Sequence, residues 1–255
     1  MNYKQLKNII LKHNKLYYDS SAPEISDPEW DQLYDKLGAL ETAQGWRDHD
    51  SPTNVVGGVA GKVTHPYKLY SLNKVYNPSE VDSWMNIETP KIDGTNLSLI
   101  YKNGKLTTAL TRGNGEHGED VTHLVLFLKN APNRIRTNIE EVVVNGECVT
   151  DNDVENFRNY VSGALGLKDP LEFEKRNINF IAHDWLGLEM DYIPRMSILE
   201  NMGFFTALDS RAKNYPTDGL VYRCNEYKKS QKLGYTSKYP KFAVALKTAG
   251  TLTAT

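Results

Sequence analysis

The chain has 255 residues, of which 40% are hydrophobic and 24% are charged, and these proportions are those of an ordinary globular protein. They exclude collagen-like, low-complexity and largely disordered chains, and the length suits one large domain or one large plus one small domain. Thirty Lys and Arg residues against 32 Asp and Glu residues give a net charge of −2, so binding to nucleic acid would require local basic patches.

The sequence carries no signal for export or for membrane insertion. Its two cysteines, Cys148 and Cys224, are too few for a disulfide framework or for a four-cysteine zinc site. No apolar run approaches the roughly 18 residues of a membrane span, and the polar start MNYKQLKN is unlike a signal peptide. We therefore expect a cytoplasmic protein without a membrane partner.

Two helices are predicted at the N-terminus. Residues 3–17 place apolar side chains at helical spacing. A turn-like segment follows, and then Asp27 can cap a second helix whose apolar stripe extends to Leu40. We expect an αα-hairpin over residues 1–44. Residues 45–70 are rich in Gly, Ser, Thr, Asp and Pro, and we expect them to form a linker or an extended wrap without regular elements.

The remaining residues, 71–255, are expected to be rich in antiparallel strands. A hairpin is predicted where two apolar runs flank Asn103 and Gly104, a pair typical of a type I′ turn. Further strands are predicted at 142–149, 180–182, 220–222 and 242–246, and helices at 120–128, 151–160 and 195–201. Because strands and helices do not alternate regularly, the pattern indicates an α+β fold of mostly antiparallel sheets flanked by helices.

The segment PKIDG carries a candidate nucleophile. In an extended strand, Lys91 and Asp93 point to the same side, and Gly94 permits a close approach of a ligand. A neutral lysine amine can attack a phosphoryl centre, and nearby cations favour the neutral form. Alone, this short motif is more often an exposed lysine beside a turn aspartate, so its weight depends on the rest of the chain.

Other short segments also suit the binding of a nucleotide. The loop TRGNGEHGED combines Arg112 with three glycines, which suits phosphate contact through backbone amides and a guanidinium group. Glu147 follows a β-branched run and could hold ribose hydroxyls, while Arg223 and Lys247 each end a strand. Each of these segments has an ordinary alternative, a solvated loop or a charge at a strand end, so the information lies in their combination and order.

In this order, the segments KIDG, TRGNGEHGEDVT, NGE, DGLVYR and AVALK resemble the nucleotidyltransferase motifs of the NAD-dependent DNA ligases. The N-terminal segment YYDSSAPEISDPEWD resembles the helical hairpin with which that family recognises nicotinamide mononucleotide (NMN), and DSPT and LYSLN match its linker and its nucleotide-pocket strand. The resemblance spans about residues 3–248. It implies an NMN-recognition hairpin at 1–44, a linker at 45–70 and an adenylation domain at 71–255.

The resemblance implies a covalent reaction at Lys91. This lysine would attack the α-phosphate of NAD, form enzyme-AMP and release NMN, and the AMP would then pass to the 5′-phosphate of nicked double-stranded DNA. Asp93 would support the lysine. Lys247 and Arg223 would neutralise phosphate charge in the transition state.

The resemblance also implies binding residues for each part of the substrates. For the AMP half, Arg112 would contact ribose and phosphate, Glu147 would bind a ribose hydroxyl, and His183 would stack on the adenine. The full set of residues for this half is Ser71, Leu72, Thr89, Arg112, Glu147 and His183. For NMN, the set is Tyr17, Tyr18, Asp27, Trp30 and Asp31. Arg158 would contact the nick phosphate. Mg²⁺ is implied as well, held by phosphates and water because no carboxylate cage is evident.

The sequence departs from the family pattern at several of these positions. Thr89 stands where the family usually has a glutamate that contacts adenine. Arg223 replaces a lysine, and a planar guanidinium is no direct substitute for an ammonium group. Tyr18 and Trp30 replace a histidine and a tyrosine in the hairpin. Gly166 stands where a second DNA-contacting arginine is common, which predicts a weaker grip on DNA.

The family continues beyond the adenylation domain, whereas this sequence ends eight residues after Lys247. In the family, an oligonucleotide-binding (OB-fold) barrel, a zinc module and helix-hairpin-helix motifs follow. We therefore expect those modules in a second chain or in a missing C-terminal half, and sealing of nicks is expected to require them.

Two other functions are compatible with parts of the sequence. The first is a non-catalytic NAD-binding or interaction subunit of a split ligase, but pure binding would not need the nucleophile Lys91. The second is an ATP-dependent ligase or a capping enzyme, but ATP needs no nicotinamide-recognising hairpin. The sequence therefore favours an NAD-dependent DNA ligase.

Overall fold

The structure is a computed structural model, and it describes residues 3–20, 25, 27–44, 48, 51 and 62–247. The chain divides into two units, Met1–Ala60 and Gly61–Thr255. Within the described ranges, no helix has the length and apolar character needed to cross a bilayer.

The first unit contains two helices, α1 (Tyr3–Ser20) and α2 (Asp27–Gln44). Leu6 and Ile10 of α1 are fully buried and pack with Leu37 of α2. Their spacing of three to four residues places apolar side chains on one stripe of each helix, and burial of these stripes holds the pair together. The predicted αα-hairpin is confirmed.

The second unit contains two four-stranded sheets. The first sheet consists of β2 (Asn73–Val75), β3 (Ile87–Ile92), β9 (Thr217–Arg223) and β10 (Ala243–Lys247), in the order β2-β10-β9-β3, with only β2 and β10 parallel. The second sheet consists of β4 (Thr95–Lys102), β5 (Lys105–Thr111), β7 (Glu141–Thr150) and β8 (Ile178–Leu186), antiparallel throughout in the order β5-β4-β7-β8.

The helices of this unit are α3 (Phe157–Leu165), α4 (Pro170–Glu174), α5 (Tyr192–Asn201) and α6 (Tyr227–Leu233). Short 3₁₀ helices span Pro78–Glu80, Thr122–Phe127 and Ser210–Asn214. Mixed helices and largely antiparallel sheets confirm the predicted α+β class. The turn between β4 and β5 also has the predicted geometry, because Asn103 and Gly104 have φ values of 50° and 75°.

The second sheet separates an apolar core from a polar face. Side chains alternate along each strand, so every second residue points to the same side. On one side, residues from β4, β7 and β8 pack with α3 and α5 in the main core, among them Leu97, Leu99, Val144, Phe180, Val161 and Met196. The other side of β4 and β7 carries the polar residues Asn96, Ser98, Asn145 and Glu147. Ser98 and Asn145 are buried, whereas Asn96 and Glu147 are half-buried, so the face is accessible at the end that carries Asn96 and Glu147.

Three predicted elements differ from the structure. The helix predicted at 151–160 begins only at Phe157, because Asp151 accepts a hydrogen bond from the Tyr215 hydroxyl (2.9 Å) and Thr150 caps the backbone of Asn152 (3.2 Å). Such side-chain bonds compete with helix formation. The helix predicted at 120–128 is a 3₁₀ turn, Thr122–Phe127.

The third difference lies in the segment interpreted as a linker without regular structure. Within this segment, a short strand β1 (Val63–Thr64) pairs with β6 (His117–Gly118). The backbone N–H of Leu69 also donates to the carbonyl oxygen of Gly115 (2.8 Å). The end of this segment therefore packs on the glycine-rich loop. Residues 52–61 lie outside the described part.

A glycine joins the first sheet to the second. Gly94 lies between β3 and β4, and a Cβ added there would collide with the carbonyl oxygen of Cys148 and lie 3.1 Å from the side chain of Glu147. Only glycine allows the two backbones this close an approach. The junction fixes Lys91, three residues earlier, relative to β7.

We expect Gly94→Ala to lower the free energy of unfolding by about 1–3 kcal/mol, because the methyl group overpacks the junction. Gly163→Ala is the matched control: Gly163 is exposed in α3 and nothing lies within 4 Å of an added Cβ. This control should be neutral or stabilising by up to about 1 kcal/mol. Urea unfolding measures both, and equal effects of the two substitutions would contradict the close approach.

Candidate active site

A carboxylate held between two lysines lies at one end of the first sheet. The Nζ atom of Lys91 donates to both carboxylate oxygens of Asp218, at 2.7 and 3.0 Å. The Nζ atom of Lys247 donates to Asp218 Oδ2. The three side chains come from three neighbouring strands, β3, β9 and β10, and Asp218 is the central charge.

A β-bulge produces this arrangement. Pro90 and Ile92 of β3 face Leu220 and Thr217 of β9, so Lys91 opposes two residues, Asp218 and Gly219. Gly219 has a φ of 147°, and a side chain there would collide with the carbonyl oxygen of Leu246. A bulge re-aims the side chains beside it. Here it directs a carboxylate toward lysines on both flanking strands.

The electrostatic balance at Asp218 favours the ionised carboxylate. Its side chain is 12% exposed, and burial alone would raise its pKa. Hydrogen bonds and charge from Lys247 and Lys91 outweigh burial, so the pKa of Asp218 lies below its ordinary value. In this structure one ionised carboxylate therefore accepts hydrogen bonds from both lysines and balances only one of their two positive charges.

Glu147 lies on the polar face of the second sheet, within electrostatic reach of Lys91. Burial raises the pKa of Glu147 to about 7, although Lys91, Asn96 and Arg158 each oppose that rise. Asn96 is its register partner across β4 and β7. Near neutral pH, this carboxyl can therefore act as a hydrogen-bond donor or as an acceptor.

Asp93 and Arg158 meet at the exposed edge of the same region. The Arg158 guanidinium lies 3.5 Å from Asp93 Oδ1, and the Arg158 side chain is 67% exposed. The backbone N–H of Asp93 donates to Pro216 (2.8 Å), which fixes the turn after Lys91. The structure thus brings together Lys91, Asp93, Glu147, Arg158 and Lys247, five of the residues predicted for the site.

His183 lies further along the same polar face, at a bulge in β8 between Ala182 and Asp184. Its Nε2 atom is 3.2 Å from the amide nitrogen of Asn96. Burial, with a contribution from the charge of Arg223, lowers the pKa of His183 to about 4. The ring is therefore a neutral imidazole at physiological pH.

The structure does not bring Arg223 to the two lysines. Arg223 is five residues beyond Asp218 on β9, roughly 16 Å at strand spacing. Its guanidinium lies 3.7 Å from Asp184 and 4.3 Å from the ring centre of Tyr192. Arg223 therefore lies beside His183, and this position does not support the contact with the phosphate that the sequence predicted for it.

Arg112 and Ser71 meet at another edge of this unit. The Arg112 guanidinium donates to Ser71 Oγ at 2.7 Å. They share a cavity of about 460 Å³ with Leu72 and with three lysines, Lys68, Lys74 and Lys238. The cavity is strongly basic, and Glu116 pairs with one of these lysines, Lys68, at 2.8 Å.

Thr89 lies on β3 opposite Val221 and is almost completely buried. The residues expected to recognise NMN belong to the first unit: Tyr17 and Tyr18 lie in α1, and Asp27, Trp30 and Asp31 lie in α2. The side chains of these five residues lie outside the described part of the structure.

Sequence reasoning missed two residues of this site. Asp218 was visible only as part of the segment DGLVYR, and its signal is the second Asp-Gly pair after that of KIDG. Nothing in the sequence pointed to Asn96, because a polar residue at every second position is the usual pattern of a half-buried strand. Their importance comes from cross-strand pairing.

The fold and the site define an α+β domain in which two lysines share one carboxylate. A family model described as the NAD-dependent DNA ligase adenylation domain matches residues 60–213 and 206–250. A second model, the N-terminal NAD⁺-binding domain of DNA ligase-like proteins, matches residues 1–57. The chain belongs to the NAD-dependent DNA ligase family and carries its NAD⁺-binding and adenylation domains.

Curated DNA ligases of bacteria are similar to the chain along most of its length. Identity is 35% to the DNA ligase of Brachyspira hyodysenteriae and 32% to that of Chlorobium chlorochromatii, over 95% of this chain and 45% of each relative. The chain thus spans less than half the length of these relatives. A solved structure described as a Lig E DNA ligase with a minimal DNA-binding scaffold is 15% identical, with a TM-score of 0.44 over 74% of this chain and 69% of its own.

The raised pKa of Glu147 predicts a pH-dependent effect of Glu147→Gln on stability. An unfolded glutamate ionises near pH 4.3, whereas the folded one keeps its proton to about pH 7, so the wild type loses stability as the pH rises through this window. We expect the variant to be more stable than the wild type at pH 8, by at least about 1 kcal/mol, and not at pH 4. Urea unfolding at both pH values measures this, and an advantage of the same size at pH 4 would contradict it.

Proposed function

We propose that this chain performs the first step of NAD-dependent DNA ligation, the transfer of AMP from NAD to Lys91. The observation that carries the proposal is the pairing of Lys91 and Lys247 on one carboxylate, Asp218, beside Glu147. Membership of the adenylation family supports it, because the paired lysines lie in the segments that resemble the family motifs.

The chemical step exchanges one bond for another. The Lys91 ammonium gives one proton to solvent, and the neutral amine attacks the α-phosphorus and forms a P–N bond, with loss of a second proton to solvent. The P–O bond to the NMN phosphate breaks, and NMN leaves with the electron pair of that bond. Positioning and charge neutralisation are the main contributions a protein can make to such a transfer.

Asp218 and Lys247 have complementary parts in this proposal. Without nucleotide, Asp218 accepts hydrogen bonds from both ammonium groups and balances one of their two charges. A bound α-phosphate would replace that carboxylate as the partner of Lys247, and Asp218 would then serve Lys91 alone. Lys247 could then stabilise the negative charge that develops on the phosphate oxygens in the transition state.

The nucleoside of NAD would lie along the polar face of the second sheet. Glu147 would hold a ribose hydroxyl, and the neutral ring of His183 would stack on adenine. Arg223, beside His183, fits a contact with the base rather than the phosphate. Ser71, Leu72, Thr89 and Arg112 complete the proposed contacts with AMP.

The helical hairpin would supply recognition of NMN. Tyr17, Tyr18, Asp27, Trp30 and Asp31 are proposed for this task on the resemblance of their segment, and the match of residues 1–57 to the NAD⁺-binding domain supports it. The domain division would then be an NMN-recognition hairpin at 1–44, a linker at 45–70 and an adenylation domain at 71–255.

Mg²⁺ is proposed as the metal of the reaction. Among the described residues, no three His, Cys, Asp or Glu side chains converge as a metal cage. The proposal rests on the resemblance, and Mg²⁺ commonly binds through substrate phosphates, water and one or two carboxylates. Asp93, which is half-buried, is the carboxylate nearest Lys91 in sequence, and the ion would neutralise phosphate charge.

The later steps of ligation need DNA. AMP would pass to the 5′-phosphate of nicked double-stranded DNA, with the exposed Arg158 contacting the nick phosphate. We further propose that sealing requires DNA-binding modules, OB-fold, zinc and helix-hairpin-helix, supplied by a second chain or by a C-terminal half. The reaction would take place in the cytoplasm.

The mass of the intact protein tests the adenylation proposal. After incubation with NAD and Mg²⁺, we expect the protein to gain the mass of one AMP, and ATP should give no gain. Lys91→Ala removes the nucleophile and should abolish the adduct. A gain from ATP instead would contradict dependence on NAD, and no adduct from a folded protein freed of preloaded AMP would favour a non-catalytic NAD-binding subunit.

Removal of the N-terminal unit tests the role of the hairpin. We expect a protein cleaved after residue 60 before loading to form no adduct from NAD, because the leaving NMN is not held. The loaded, intact protein should return its AMP to added NMN and regenerate NAD, whereas a protein loaded first and cleaved afterwards should keep its AMP, because the reverse reaction also needs NMN to be held. Normal adduct formation by the truncated protein would contradict NMN recognition by this unit.

A further inference from the structure

Asn96 joins two proposed nucleotide contacts across three strands. It lies on the polar face of β4, in register with Glu147 of β7. Its amide nitrogen lies 2.9 Å from the carbonyl oxygen of Gly146 and 3.2 Å from His183 Nε2 of β8. The same side chain also helps to lower the pKa of Glu147 against the effect of burial.

The orientation of the Asn96 amide follows from its partners. A backbone carbonyl can only accept a hydrogen bond, so the atom facing Gly146 must be the amide nitrogen. That nitrogen is a donor, and His183 Nε2 must therefore accept. The imidazole proton is then on Nδ1, and one of the two neutral tautomers is selected.

We propose that Asn96 is a positioning residue that fixes the tautomer and ring plane of His183 for the base of NAD. The inference rests on the proposed function for its role in the reaction, since Asn96 acts through His183. It assigns to Asn96 a task that neither the sequence motifs nor the family match gives it.

The surroundings explain why the ring needs such a partner. His183 lies at a bulge, where the strand no longer fixes side-chain direction by regular pairing. Tyr192 donates to the His183 carbonyl (3.0 Å), which holds the backbone but not the ring. A ring held at one nitrogen loses rotational freedom before the base arrives, so less entropy is lost on binding.

The tautomer can be measured without any activity. In ¹H–¹⁵N long-range correlation spectra of the full chain, His183→Phe assigns the resonances, and the wild type should show a proton on Nδ1. Asn96→Asp replaces the donor with an acceptor and should move a proton to Nε2. An unchanged Nδ1 tautomer in Asn96→Asp would overturn the contact even if the proposed reaction were correct.

Kinetics of adduct formation test the positioning role. We expect Asn96→Ala to raise the KM for NAD about fivefold, the effect of one hydrogen bond, with little change in kcat. In a His183→Phe background the same substitution should have less than about a twofold effect, because phenylalanine has no ring nitrogen to hold. Equal losses in both backgrounds would overturn the proposal.

Ser98→Ala is the matched control. Ser98 lies two residues further along the same face of β4, is fully buried and donates to Asn145 Oδ1 at 3.1 Å. The hydrogen bonds of His183 are made with Asn96 and Tyr192 and not with Ser98. It should lower stability and leave the KM and the tautomer unchanged. If Ser98→Ala raises the KM as much as Asn96→Ala, the effect is general to the strand and the proposal fails. If the wild type forms no AMP adduct, the proposed function is refuted. The spectra would still show whether Asn96 donates a hydrogen bond to His183 Nε2.

Discussion

The charge of Asp218 is the constraint on which the proposed chemistry of this site depends. Two ammonium groups, from Lys91 and Lys247, lie within hydrogen-bond distance of one carboxylate. Without that carboxylate the two lysines would repel one another across a partly buried site. The β-bulge at Gly219 makes the arrangement possible, because it places Asp218 opposite Lys91 while β10 brings Lys247 from the other side. A phosphate group forms the same kind of charge-assisted hydrogen bonds as a carboxylate, so it can replace Asp218 as a partner of the two lysines.

In the proposed function, the second sheet extends the site from the phosphate end toward the base end. Glu147 lies within reach of Lys91, and His183 lies beyond it, with Asn96 in contact with the ring. Arg223 belongs to the far end as well, since it faces Asp184. The order of charges and rings along the polar face therefore matches the order of groups in AMP: phosphate, ribose, base. This order supports the proposed function more than any single residue does.

The sequence predicted the elements that follow simple periodicity. The buried stripe of Leu6, Ile10 and Leu37 and the Asn103–Gly104 hairpin are local patterns, and the structure has them as expected. The helix expected at 151–160 begins only at Phe157, because Asp151 and Thr150 make side-chain hydrogen bonds that no periodicity reveals. Asp218 and Asn96 escaped notice for a related reason: their partners are 127 and 87 residues away along the chain.

The central claim is that Lys91, and not its neighbour on Asp218, becomes the covalent carrier of AMP. Peptide mapping by tandem mass spectrometry after reaction with NAD locates the modified lysine directly. The account predicts AMP on the peptide containing Lys91 and none on the peptide containing Lys247. An adduct on Lys247, or one distributed over both lysines of the unmutated protein, would contradict the account.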